Sequence, residues 1–187
     1  TIAAVGSAYE NGYKVTASHE GTNPYSGWEA FDANGDLVGW HSNDGSGSVI
    51  AYNGTDGLYS GTTRLATETE LGEWLGLELP EAIKLIDVQL VSQDYSPVAN
   101  TIDNFIVYAK KQPGDTWTSL GVFTGKAVFQ TSAAGVTVTV NAVDYYKFFA
   151  IVATKRNVGG TNTGVSIRDL AFYGHEEGDS SLDTTLK

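Results

Sequence analysis

Asp32, Asn34 and Asp36 stand at alternate positions in the stretch Phe31-Asp32-Ala33-Asn34-Gly35-Asp36. Oxygen-bearing side chains at this spacing in a tight turn can converge on one hard cation such as calcium. The series opens like an EF-hand loop but does not continue as one. Leu37 takes the place of the required glycine, Asn43 that of the bidentate glutamate, and no flanking helices are legible. On residue chemistry alone, the plainer reading is a turn in which Asp32 and Asp36 accept local backbone hydrogen bonds. Other chemistries fail on residue type or spacing. The chain has no cysteine, which excludes disulfides, zinc–thiolate sites, iron–sulfur clusters and cysteine nucleophiles. His19, His41 and His175 are far apart and lie in no metal-ligand spacing. A glycoside hydrolase needs two carboxylates across a cleft. Glu73 and Glu78 are an odd number of residues apart, so a regular strand points them to opposite faces. No convincing catalytic pair or zinc site remains.

Charge narrows the partners. Eleven Lys and Arg against 22 Asp and Glu leave a net charge of −11 over 187 residues. A basic surface is needed to follow a phosphate backbone or to dock on anionic lipid, so nucleic acid and direct membrane contact are disfavoured. With 41% apolar residues the chain can bury one sizeable core. No run is long enough for a membrane helix, and Thr1 to Gly6 lacks the charged start of a signal peptide. We expect a processed chain or an excised domain.

The elements that must hold these residues are strands. Leu75, Leu77 and Leu79 alternate with Trp74, Gly76 and Glu78, and Val136, Val138 and Val140 alternate with Thr137 and Thr139. Ile86, Val88 and Leu90 are expected on one face, as are Leu170 and Phe172. Phe105 and Val107 oppose Ile106 and Tyr108, and Tyr146, Phe148 and Ala150 oppose Phe149 and Ile151. Those two strands read as buried on both faces. Turn signals separate the strands, notably Asn53-Gly54, Asp56-Gly57 and Gln112-Pro113-Gly114-Asp115. Residues 42–69 read as a long surface excursion with a hairpin around Ile50 to Tyr52. The fold class is all-β, an antiparallel β-sandwich or jelly roll over residues 1–174. Residues 175–187 read as an acidic linker or the start of a further segment.

Four segments in order resemble the discoidin, or coagulation factor five/eight type C, family. The first runs from Val15-Thr16-Ala17-Ser18 through Glu29-Ala30-Phe31-Asp32 to Trp40-His41-Ser42, and the second is Gly72-Glu73-Trp74-Leu75-Gly76-Leu77-Glu78-Leu79. The third runs from Ile102 to Ala109 and on to Asp115-Thr116-Trp117, and the fourth joins Tyr146–Val152 to Val165–Gly174. The resemblance implies a galactose-binding-like jelly roll that binds and does not catalyse. Relatives include carbohydrate-binding modules, fucose lectins, adhesion discoidins and clotting-factor domains.

The resemblance also implies a structural calcium ion tying the first turn to the last strand. The matching ligands are the Glu29 carbonyl, the Asp32 carboxylate, the Asn34 and Arg168 carbonyls and the Asp169 carboxylate. Val38 stands where the family has a hydroxyl, and Asp36 is the substitute oxygen. Ligands in the family meet the loops at one end of the sandwich, which here selects His41, Tyr95, Arg156 and Asn157. Each has a plainer reading: Arg156 pairs with an acid, and His41 bonds its own loop. Trp40, Trp74 and Trp117 abut strands and read as core, while Trp28 reads as a plug near the turn. Tyr52 and Tyr59 either extend a binding surface or pack under their own loop.

The expected function is a non-catalytic, lectin-like carbohydrate-binding module that attaches a larger multidomain protein to a glycan or glycoprotein surface. The alternative is an adhesion or structural domain of a virion, phage appendage or cell-surface assembly. Either reading puts the chain outside the cell, on a cell surface or on a virion.

Overall fold

The computed structural model describes residues 9–21, 25–32, 38–42, 51–92, 100–126, 135–158 and 164–179. The described strands are β1 (Tyr9–Glu10), β2 (Tyr13–Ala17), β3 (Trp40–His41), β4 (Glu73–Val91), β5 (Ile102–Lys110), β6 (Thr118–Phe123), β7 (Val136–Thr139), β8 (Tyr146–Arg156), β9 (Ser166–Ile167) and β10 (Asp169–Glu176). A short 3-10 helix covers Gly27–Phe31. Every pairing between these strands is antiparallel.

The 19-residue β4 belongs to both layers of the sandwich. Its first part, Glu73 to Glu78, pairs with β2 and β8 and completes the order β1-β2-β4-β8-β5-β6. Its second part, Ile83 to Val91, pairs with β10, and Asp87 to Leu90 pair with β7. The register with β8 breaks between Glu78 and Ile83, where Pro80 sits. Proline has no N–H to give a ladder and is tolerated where pairing is interrupted. Strand β4 thus turns the corner there and carries the chain from one sheet to the other.

The two inner faces close on one core. Val15, Leu75, Leu77, Phe105, Val107, Phe149 and Ile151 come from the first sheet, and Leu85, Val88, Leu90, Val138 and Leu170 from the second. A smaller cluster covers the outer face of the first sheet: Leu65, Ile106, Tyr108, Ala150 and Val152, with Trp74 and Trp117 packed against it. Strands β5 and β8 are therefore buried on both faces, as their unbroken apolar runs require. The alternation breaks at the start of β8. Tyr146 joins the main core with Phe149, their ring centroids 6.4 Å apart.

Three expectations need correction. Ile86 does not share a face with Val88 and Leu90. The β4–β10 register jumps from Asp87 to Leu85 between Tyr173 and Gly174, so Ile86 is the extra residue of a bulge and Leu85 fills the core. The excursion before β4 is not all surface. Ala51, Tyr52 and Leu65 are buried, and bridges join Tyr52 to Tyr59 and Leu58 to Lys155 of β8. The hairpin seen there runs over the Asn53–Leu58 turn, with Asn53 N–H donating to Leu58 O at 2.8 Å. Strand β10 runs two residues past Gly174, with His175 and Glu176 opposite Lys84 and Ile83.

Trp40 is 1% exposed and donates its indole N–H to the His19 carbonyl at 2.7 Å. Trp28 packs half-buried against the main core.

Candidate functional site

The short β3–β9 pair sets one end of the sandwich. Trp40 lies opposite Ile167 and His41 opposite Ser166. Backbone bonds lace this end together. Ser42 N–H donates to Val165 O at 3.0 Å, Ser166 N–H to Asn100 O at 2.9 Å, and His41 N–H to Tyr25 O at 3.2 Å. His41 is thereby anchored on both sides, and the residue is half-exposed. Nε2 of the ring lies 3.1 Å from the side-chain nitrogen of Asn100. That amide donates to Nε2, which leaves the ring proton on Nδ1. The Tyr25 ring meets the imidazole edge-on, with centroids 6.1 Å apart and planes at 60°.

Asn157 belongs to the same end. Its backbone N–H donates to Thr101 O at 2.8 Å, one residue from Asn100. Its side-chain oxygen accepts from Val158 N–H at 2.9 Å. The structure thus brings His41 and Asn157 to the two sides of the Asn100–Thr101 entry into β5. Tyr95 lies outside the described residues.

Arg156 is placed differently from expectation. It ends β8 opposite Ile102, is 1% exposed, and its N–H donates to Gly57 O at 2.9 Å. The hairpin over residues 51–60 covers it. Burial pulls the guanidinium pKa below the ordinary arginine value, while Tyr52 acts in the opposite direction. Arg156 braces the end of the sandwich from within and offers almost no surface to a ligand.

Of the expected metal ligands, Glu29 and Asp32 are both 6% exposed. Glu29 lies within the 3-10 helix and Asp32 at its C-terminal end. Asn34 and Asp36 lie outside the described residues. Arg168 and Asp169 stand at the β9–β10 junction, where Arg168 Nε donates to Asp169 Oδ2 at 2.8 Å. Gly39 packs closely on this junction: a Cβ there would lie 2.2 Å from Ile167 O and 2.4 Å from Arg168 Cα. Among the described residues no group of three or more His, Cys, Asp or Glu is gathered for a metal.

Sequence reading missed two groups. One is Asn100, whose bond to His41 spans 59 positions and leaves no local trace. The other is Glu73, 1% exposed. Its carboxylate accepts from Ser18 Oγ at 2.6 Å, His19 Nδ1 at 2.7 Å and Tyr59 OH at 2.8 Å. A signal for this existed, because Glu73 is in phase with Leu75, Leu77 and Leu79 and so faces inward with them. Tyr52 and Tyr59 pack under their own loop, their rings 5.0 Å apart. Tyr52 OH donates to Ala153 O at 2.8 Å. Burial first, and Glu73 next, push the Tyr52 pKa well above the ordinary tyrosine value.

No family model and no curated protein matches the sequence. Solved structures do. The family 32 carbohydrate-binding module of Clostridium perfringens NanJ in complex with galactose is similar at TM-score 0.55 and 17% identity, over 86% of this chain and 92% of that one. The third family 32 module of a Clostridium perfringens family 31 glycoside hydrolase is similar at TM-score 0.60 and 16% identity, over 88% and 92%. An F5/8 type C domain from Bacteroides fragilis is similar at TM-score 0.56 and 14% identity, over 88% and 92%. The chain is an antiparallel β-sandwich with the fold that family 32 carbohydrate-binding modules and F5/8 type C domains share.

Proposed function

We propose that the chain is a non-catalytic carbohydrate-binding module whose β3–β9 end holds a neutral sugar. The observation that carries this reading is the His41–Asn100 pair at 3.1 Å beside the Tyr25 ring. Imidazole Nδ1–H and planar amides match the donor and acceptor pattern of sugar hydroxyls, and an aromatic ring accepts the apolar side of a pyranose. Asn157 lies beside this pair. Galactose is the first ligand to try, because the similar NanJ module was solved with it. The acidic surface suits an uncharged glycan better than a sulfated one. Weak binding by one module gains strength from repetition within a larger extracellular or cell-surface protein. The reading is tested by a glycan array followed by calorimetry with galactose. Saturable binding lost in His41→Ala supports it, and an array without a binder overturns it.

Calcium belongs to this proposal as a clasp and not as a reactant. The Glu29 and Arg168 carbonyls, the Asp32 and Asp169 carboxylates, and Asn34 with Asp36 would supply the oxygens. The observation that favours it is the close approach of Gly39, which follows the stretch 29–36 in the sequence, to the β9–β10 junction. A bound ion would draw these oxygens together and hold the base of the loop end in place.

A further inference from the structure

We propose that the flank of the sandwich along β10 docks an extended basic segment of a partner protein by strand addition. Among the described strands β10 pairs with β4 alone, and no described strand lies along its other edge. An open edge of this kind is a template for one more strand. Beside it runs a groove of about 600 Å³ between the two sheets. Its apolar lining includes Phe31, Leu77, Leu79, Leu170 and Phe172. Phe31 and Phe172 stack with centroids 6.5 Å apart. This edge and this groove lie outside the His41 cluster, and Asp169 is the one lining residue that the calcium clasp also uses.

Charge selects the occupant. The groove also meets Glu81, Asp169 and Glu176. Asp169 is engaged by Arg168 at 2.8 Å, so Glu81 and Glu176, both exposed, set the potential of the rim. A second copy of the chain brings another net charge of −11 and is repelled. A segment alternating apolar and basic residues meets both requirements. In a strand its apolar set faces the groove and its basic set faces the acidic rim and solvent.

The test uses the full 187-residue chain, labelled with nitrogen-15. The probe is an acetylated, amidated hexapeptide alternating valine and lysine. Its control carries N-methyl groups on alternate backbone nitrogens and cannot pair along an edge. The expected result is saturable shift changes confined to β10 and the groove, absent with the control. The double variant Glu81→Lys/Glu176→Lys should weaken binding at least fivefold. Both side chains are exposed, and an otherwise unchanged amide spectrum shows that the variant is folded. The proposal is overturned by a β10 that does not respond, by equal binding of the N-methylated control, or by indifference to the charge reversals. It is also overturned if the peptide binds only after residues 1–8 are removed, which would make the chain's own N-terminus the occupant.

Discussion

The Nδ1 atom of His19 lies 2.7 Å from Oε2 of Glu73, and the Glu73 side chain is 1% exposed while that of His19 is 49% exposed. A half-exposed imidazole caps a buried carboxylate that also accepts from Ser18 and Tyr59. The carboxylate ties β4, the segment after β2 and the hairpin before β4 into one knot. Truncation to alanine removes the acceptor that Ser18, His19 and Tyr59 share. Glu73→Ala should cost about 1–3 kcal/mol, as leaving buried hydrogen-bonding groups unsatisfied does, and Glu73→Gln should cost less. Urea denaturation of both variants checks this, and wild-type stability in Glu73→Ala would refute it.

The tyrosines beside this knot predict an alkaline limit. Burial is the first cause that raises Tyr59, to about 12, and it also raises Tyr52. A folded pKa above the unfolded value of 10.0 means that the folded state holds its proton more tightly. That contribution is fully present below pH 10 and is lost as the pH climbs from about 10 through about 12. Melts followed across this window should show stability falling, with the steep part of the tyrosinate absorbance coinciding with unfolding. Tyr59→Phe should flatten the fall.

Gly57 fixes how the hairpin covers Arg156. Its φ is +75°, and a Cβ there would lie 2.1 Å from the Arg156 carbonyl oxygen. Gly57→Ala should cost about 1–3 kcal/mol through backbone strain and overpacking together. It should also loosen the hairpin, seen as faster amide exchange at Leu58 and Tyr59.

In the proposed sugar site, Asn100→Ala removes the amide that meets His41 Nε2 at 3.1 Å. Affinity for the bound glycan should fall about tenfold, equivalent to about 1.4 kcal/mol, with little change in melting temperature. Calorimetry on the variant checks this, and unchanged affinity would remove Asn100 from the site.

Calcium is checked by chelation. Chelator should lower the melting temperature, and added calcium should restore it. Asp169→Asn should blunt the response. A melting curve indifferent to both would dismiss the ion.

Much of the fold was legible because periodicity is local. The alternation of Leu75, Leu77 and Leu79 and the unbroken apolar run in β5 state which faces are buried before any partner strand is known, and the structure agrees. The same logic was available for Glu73, which shares the phase of those leucines. What a buried acid bonds to is not local. Its partners lie 55, 54 and 14 positions away and are brought to it only by folding. The bulge at Ile86 escaped for the opposite reason. One extra residue inverts the phase, and only the opposing strand β10 reveals it. Arg156 reads as a surface base on composition alone. The tertiary structure encloses it, because a hairpin contributed from residues 51–60 folds over the end of β8. The sequence by itself determined an acidic, cysteine-free, all-β sandwich. Tertiary contact alone decided which polar groups meet, since hydrogen bonds between distant segments leave no pattern along the chain.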